Sequence, residues 1–322
     1  MNAHGPSPEQ VLSALKVTGF LLEQEMFRVV ENHGFYADIS RAYDDPEEGK
    51  SREIDVFGWK PFFIHERRNC VFGIRLIIEC KNPKSPYVVI GHTPNDNELG
   101  GMRGGYSFWA SHIEVGRTPH PNGSAMQSVH HSSLMELLGL NNIAGNPTDE
   151  HFVGNQLIAM ERKGSDWFAG NSHIFDGIVM PMVKAMSHYQ QVNRGGRTGP
   201  LQGGEQSHNS LTMPILVTSN EIFEVNTDLD EIVAVSVPWT NVTRQIKTKN
   251  LQTTVKIQVV QAKHMSEFLE QRVLAFGNAV AERVLKCPEI LMVRNLQDLP
   301  PGASREHLAV PSQFLPPGQP SV

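Results

Sequence analysis

The segment Ile77-Ile78-Glu79-Cys80-Lys81 ends an apolar, β-branched run with a carboxylate and an ammonium. In a strand alternate residues share a face, so Glu79 and Lys81 point one way and Ile78 and Cys80 the other. Ionised groups at the end of a buried strand are costly without partners. The preceding run, Arg52 to Gly58 (REIDVFG), holds Asp55 between Ile54 and Val56, and alternation places it on the opposite face from both. If the two runs pair as a hairpin, Asp55 and Glu79 approach one another. Converging carboxylates raise each other's cost of ionisation unless a cation joins them. A hard divalent ion suits that role, Mg²⁺ with Mn²⁺ as its substitute, because it uses one or two carboxylates and keeps waters. Such an ion binds a phosphate oxygen and acidifies a water. Lys81 would orient that water or neutralise developing charge. Glu23 is a third acid. On a wheel of about 100° per residue it falls inside the apolar arc of its helix, while Glu25 and Glu31 fall outside.

Each residue also has a plainer explanation. Asp55 alone reads as a solvated strand residue, and Glu79 with Lys81 as a surface ion pair. Histidines are numerous, with His130-His131 adjacent and His112, His120, His151 and His173 scattered, but none shows the spacing of a zinc hydrolase. Gly195 to Gly204 lacks the Gly-Lys-Ser/Thr ending of a phosphate loop. Cys80 points away from the acids and reads as core.

The positioning elements follow from periodicity. Pro8 to Asn32 reads as helix in two pieces around Thr18-Gly19, with Ser7 or Thr18 as caps. The second piece has an apolar arc of Leu22, Met26, Phe27, Val29, Val30 and His33, and Gly34 as its stop. Phe35 to Ser40, Arg52 to Gly58 and Val71 to Cys80 read as strands, with Asp44 to Lys50 a turn and Lys60 to Asn69 a long hairpin connection. Asn82 to about Asn171 lacks clear periodicity and is expected to be a long irregular insertion, with short helices at Ser132 to Leu138 and Gly154 to Arg162. Ser172 to Gln191 has helical length, and Asn193 to Ser210 reads as a flexible Gly-rich loop. Three strands (Met213 to Val225, Glu231 to Trp239, Thr253 to Gln261) and a closing helix (Ala262 to Leu285) complete the pattern. The order predicts an α/β or α+β domain around a central mixed sheet.

Acid on the first helix, Asp on one strand, then Glu-x-Lys on the next resembles the PD-(D/E)xK, or restriction-endonuclease-like, nucleases. The segment FLLEQEMFRVVENHGF, Phe20 to Phe35, is similar to the first helix of the branch holding Mrr-type and Holliday-junction-resolving enzymes. Asp55 in SREIDVFG matches the motif aspartate and Glu79-Cys80-Lys81 in LIIECKN the D/E-x-K element, with Ile54 where the family name has Pro. The likeness spans Thr18 to Asn82. It implies an α/β restriction-endonuclease-like core, a central mixed β-sheet flanked by helices, and Mg²⁺-dependent hydrolysis of nucleic acid, DNA by default. Asp55, Glu79 and the Cys80 backbone carbonyl would hold the metal, with Glu23 in support, and a homodimer would suit two-strand cleavage. The expected organisation is a domain over 1–285, elaborated at about 83–171 and about 193–210, then an extension over 286–322 that is Pro-rich and disordered from about 299. The rival reading is a catalytically inactive module of the same fold that binds nucleic acid or a partner protein. A zinc hydrolase built on the histidine-rich middle is a third.

Composition bounds these readings. With 322 residues the chain has enough length for a sizeable core. Its 28 basic and 34 acidic residues, formal charge −6, argue against binding nucleic acid by bulk charge. Local phosphate contacts would then fall to Lys84, Arg103, Arg117, Arg194, Arg197, Arg244, Lys247 and Lys249, the last three within or beside TRQIKTK. An odd set of cysteines (Cys70, Cys80, Cys287) gives no disulfide framework. No secretory leader and no apolar run of membrane length is visible. These features predict a cytoplasmic protein without membrane contact.

Overall fold

In the computed structural model, Ser7 and Gln10 form a reciprocal cap, with Pro8 at the first helical position, and start α1 (Pro8–Val17). Thr18 closes α1, and the chain turns at Gly19 into α2 (Phe20–Asn32). The structure describes residues 5–65, 70–95, 107–108, 113–120, 127–140, 151–194 and 207–314. Gly34 ends α2 with φ +76°, the left-handed stop expected of glycine. The chain then runs through β1 (Tyr36–Asp44), β2 (Ser51–His65) and β3 (Cys70–Lys81), which pair antiparallel.

After β3 come β4 (Tyr87–His92), β5 (Ser107–Phe108), β6 (Ile113–Pro119), β7 (Gln127–Ser132), the short α3 (Leu134–Leu137), β8 (Val153–Lys163) and β9 (Asp166–Gly170). A π-helical turn, Phe175–Val179, leads into α4 (Met180–Arg194). Then follow β10 (Ser207–Thr218), β11 (Ile222–Asn226), β12 (Ala234–Val237), β13 (Trp239–Lys247) and β14 (Gln252–Gln261). The closing helix is α5 (Met265–Phe268), a π-helical stretch over Leu269–Leu274, and α6 (Ala275–Lys286).

Among the described residues the strands form a main mixed sheet in the order β1-β2-β3-β10-β14-β13, a second in the order β12-β11-β4-β8-β9, and a β6-β7 pair. β10 lies parallel to both β3 and β14, so the main sheet is antiparallel on one side and parallel at its centre. Two apolar clusters flank it. On one face Leu22, Met26 and Val30 of α2 pack with Phe72, Ile74, Leu76, Ile78 and Cys80, and with Phe268, Phe276 and Val280 of the closing helix. Burial of each such large side chain contributes on the order of 2 kcal/mol. On the other face Met182, Val183 and Met186 of α4 pack with Phe57, Ile77 and Val259, and with Val89 and Leu157 of the second sheet. The second sheet closes on β13 where Gly154 meets the Asn241 backbone, so near that a Cβ there would stand 2.1 Å from the Asn241 oxygen.

Several expectations are corrected. β2 continues to His65, so Lys60 to His65 is strand and not part of a loop; Phe63 packs in the core and holds it there. The stretch 83–171, expected to be irregular, supplies most of the second sheet, and Gly154 to Arg162 is strand β8 and not helix. Its alternation is blurred because Gln156, Glu161, Arg162 and Lys163 are exposed toward one end while Leu157 is buried. Met213 to Val225 divides into β10 and β11, and Thr243 to Lys247 of TRQIKTK end β13, with Thr248 and Lys249 beyond it. Of the loop expected over 193–210, residues 193–194 end α4 and 207–210 begin β10; the remainder lies outside the described residues. The extension expected over 286–322 does not stand apart. Ile290, Leu291, Leu296, Leu299 and Leu308 are buried in the same cluster as α2, so the chain is packed well past 299 despite its prolines. No helix among the described residues is long and apolar enough to cross a membrane.

Candidate functional site

The carboxylates meet where β2 and β3 pair. The paired register ends with Val56 opposite Ile78, and Asp55 and Glu79 are the next residues on the two strands. Asp55 Oδ2 accepts a hydrogen bond from the Cys80 amide at 2.7 Å, which fixes the acid against the turn of β3. Glu79 Oε1 is joined to Lys81 Nζ by a short ion-paired hydrogen bond. The Glu79 side chain is 12% exposed and that of Lys81 33%, so the pair is partly shielded but open at the lysine. Glu23, half-buried in the first turn of α2, completes the group. A Cβ on Gly19 would stand 3.4 Å from Glu23 Oε1 and 3.6 Å from the Cys80 carbonyl oxygen, so both oxygens border one point in space.

The electrostatics record this crowding. Burial, then the Asp55 charge, pushes Glu79 up to about 7, against the pull of Lys81. Asp55 is raised by burial although the Cys80 amide opposes it, and Glu23 is raised by burial and by Asp55. Burial works against the Lys81 ammonium, but Glu79 and Asp55 outweigh it and hold its pKa above the usual value. All four side chains therefore act on one another, with three acids facing one cation.

One local expectation fails. Val56 packs in the α2-side cluster whereas Ile54 packs in the α4-side cluster, so simple alternation does not hold through Asp55. Ser40, the β1 residue that falls opposite Asp55 in the register, has φ +51°. A non-glycine residue in that left-handed region is uncommon and interrupts the pleat beside the acid.

Sequence reasoning missed Asn82, Tyr87 and Tyr43. Asn82 Nδ2 donates to the Lys16 and Thr18 carbonyls at 2.8 and 3.3 Å, and its Oδ1 accepts from Ser219. It thereby ties the α1–α2 junction to the end of β3 and sets where α2, with Glu23, begins. Burial raises Tyr87, and the nearby Lys81 charge restrains it. Burial pushes Tyr43 up to about 12, with Glu79 among its neighbours. Only Asn82 carried a signal, as a polar residue directly after Glu-x-Lys.

Among the described residues the expected phosphate contacts lie on several separate elements. Lys84 is exposed just beyond the site. Arg103 and Arg197 lie outside the described residues, and Arg194 is the last residue of α4. Glu114 binds Arg117 at 2.6 Å. The row of Glu79 passes through Leu216 and Val259 to Thr240, whereas Lys247 lies seven residues further along β13. Strand spacing and rise then put Lys247, and Lys249 after it, roughly 27 Å from Glu79. Arg244 is half-buried, its pKa lowered by burial.

Carboxylate and carbonyl oxygens form a donor set for a hard cation that retains waters. Among the described residues no group of three or more His, Cys, Asp or Glu side chains is placed to hold a metal ion, so a cation here would rest on two carboxylates, the Cys80 carbonyl and waters. Cys80 is buried and its thiol is pushed up by burial, so it offers only its carbonyl. Of the histidines, His130 is hydrogen-bonded to Thr118 at 2.8 Å and packs its ring on Phe314. Comparison with protein-family models, with curated proteins and with solved structures finds no match.

Proposed function

We propose that this chain is a metal-dependent nuclease of the restriction-endonuclease-like kind, hydrolysing phosphodiester bonds of nucleic acid, DNA by default. The observation that carries the reading is the meeting of Asp55, Glu79, Lys81 and Glu23 at one end of a strand pair, in the order the motif requires. The mixed sheet flanked by helices supports it, as does a Glu79 carboxyl whose pKa burial, then the Asp55 charge, raise to about 7. Perturbed titration in a cluster of acids is a mark of functional sites.

Asp55, Glu79 and the Cys80 carbonyl would hold Mg²⁺ or Mn²⁺, with Glu23 behind them. When bound, the ion supplies Lewis acidity toward a phosphate oxygen and a more acidic water. The chain's own groups do the rest. Lys81 eases the ionisation of Glu79 and presents ammonium donors toward the open side of the site, where they can orient a water or meet a phosphate oxygen. The Cys80 amide holds Asp55 in place, and Asn82 holds the helix that bears Glu23. The cytoplasm is the setting this reading implies, and a homodimer would serve two-strand cutting.

The test is a cleavage panel of duplex, branched and single-stranded DNA and of RNA, with Mg²⁺ or Mn²⁺, for the wild type beside Glu79→Ala and Lys81→Ala. The wild type should cut at least one form. Both variants should lose about a thousandfold in rate, in the range of losing a preorganised charged group. Lys81→Ala should still bind Mn²⁺ by calorimetry. Wild-type protein that cuts nothing would sink the proposal and leave a non-catalytic binding module of the same architecture; Glu79→Ala that cuts normally would sink it by placing the cutting outside this site.

A further inference from the structure

β8 and β9 project as an arm. Every residue from Glu161 to Ala169 is exposed, and Gly164 turns the arm with φ +66°. Trp167 and Phe168 stand on it, 52% and 48% exposed. Adjacent residues of a strand face opposite ways, so the two rings lie on opposite faces of the ribbon and form no continuous apolar patch. One face pairs Trp167 with Arg162, which stands directly opposite it. On the other, Glu161 stands opposite Phe168, and Lys163, itself 4.0 Å from Glu161 Oε2, reaches over the ring with Nζ 5.3 Å from its centre.

The arm starts beside the candidate site. β8 pairs with β4 so that Ala159 stands opposite Tyr87, and the Met160 amide donates to the Pro86 carbonyl. Tyr87 opens β4 and follows Lys81, the last residue of β3, by a short loop. Arg162 and Trp167 lie three residues beyond that row, about 10 Å at the usual strand rise.

We propose that the β8–β9 arm is a stacking arm for single-stranded nucleic acid, with Trp167 and Phe168 packing on unpaired bases while Arg162 and Lys163 meet the neighbouring phosphates. The identity of the partner rests on the nuclease reading. The chemistry of the arm favours this occupant over a folded protein. Protein interfaces build a buried apolar centre, whereas two exposed rings on opposite faces, with Arg162 beside one and Lys163 shared between the other and Glu161, suit bases taken one on each face. The arm would then select substrates with unpaired bases near the scissile bond.

The experiment measures binding of the full chain to a labelled oligothymidylate and to a blunt duplex of equal length, by fluorescence anisotropy in EDTA so that cutting plays no part. Wild type should prefer the single strand. Trp167→Ala and Phe168→Ala should each weaken that binding by between about 5- and 150-fold, the usual worth of one stacked base. Trp167→Phe should retain most of the affinity, because a stacking face remains. Circular dichroism and thermal midpoints of these exposed-site variants should match the wild type. Unchanged affinity in the alanine variants, equal loss in Trp167→Phe, or no single-strand preference would overturn the proposal. Aromatic-dependent binding without any metal-dependent cutting would uphold the arm and defeat the nuclease reading. Cutting with no aromatic dependence of binding would do the reverse.

Discussion

Glu79→Gln should make the folded protein more stable at alkaline pH, although it deletes an ion pair. In the unfolded chain Glu79 ionises near its ordinary value of 4.5, and in the folded chain near 7. A carboxyl whose folded pKa is raised binds its proton more tightly when folded. Its contribution is therefore most favourable below pH 4.5, declines as pH rises through the interval up to about 7, and is fully adverse above that. At 1.36 kcal/mol per unit the adverse contribution is about 3 kcal/mol. The side chain is only 12% exposed, so solvent screening discounts this little. Glutamine keeps the shape of the protonated acid and cannot ionise. The assay is urea unfolding of wild type and variant in EDTA at pH 5 and pH 8, followed by circular dichroism. Groups such as Asp45 and Glu23 titrate in both proteins and largely cancel in the difference. The variant should gain little at pH 5 and about 3 kcal/mol at pH 8. A stability difference that does not grow with pH, or a variant weaker than wild type at pH 8, would refute the claim that Glu79 ionises against its surroundings.

Two further substitutions test the frame that holds the site. Asp45, with a fully buried carboxylate, accepts from Lys184 at 2.8 Å, Arg52 at 2.6 Å and the amides of Glu47 and Glu48. Asp45→Ala would leave a mostly buried ammonium short of its counter-charge, so urea unfolding at pH 7 should show a loss of about 3 kcal/mol or more. Burial alone would raise the Asp45 pKa, but these donors hold it well below the ordinary range, so wild type should keep this stability at neutral pH and lose it as acid titrates the group; the variant should lack that acid limb. Gly154→Ala would drive a Cβ into the Asn241 backbone at 2.1 Å, where no side chain can yield. Its unfolding midpoint should fall by more than that of the open-space control Gly139→Ser, even though Gly139 has φ +62°.

The site was more legible in the sequence than the architecture around it. Glu79, Lys81 and Glu23 are charges at positions whose neighbours, Ile78, Cys80, Leu22 and Met26, are buried, and local periodicity of 2 or 3.6 exposes such misfits. Gly34 and the Ser7 cap were legible for the same reason, since their requirements are met within a few residues, whereas Thr18 closes α1 and does not cap α2. The second sheet was not. β4 pairs with β11, more than a hundred residues later, and no local pattern encodes that partner. β8 misleads further, because its half beyond Ala159 is exposed on both faces and carries no alternation. The β2 extension was hidden by Pro61, which reads as a strand breaker but sits beside a register shift. Leu299 and Leu308 were masked by the surrounding prolines, though each finds a place in the main core.

Two acidic clusters border the same strand, β2, and their contrast separates structure from chemistry. At one end of β1 and β2, Asp45 is met by two cations and two amides, and its charge is stabilised far beyond its value in water. Nothing there asks for another ligand. Further along β2, Asp55 and Glu79 share one lysine and one amide, with Glu23 adding a third negative charge, and every one of these acids is harder to ionise than in water. A fold able to build the first arrangement had the means to neutralise the second with one more arginine. It instead holds a partly shielded surplus of negative charge against about 3 kcal/mol of stability, which is the thermodynamic condition for drawing in a cation from solution. Divalent metal should therefore stabilise the wild type more at pH 8 than at pH 5, while Asp45→Ala, with the surplus intact, should gain as much from metal as the wild type does.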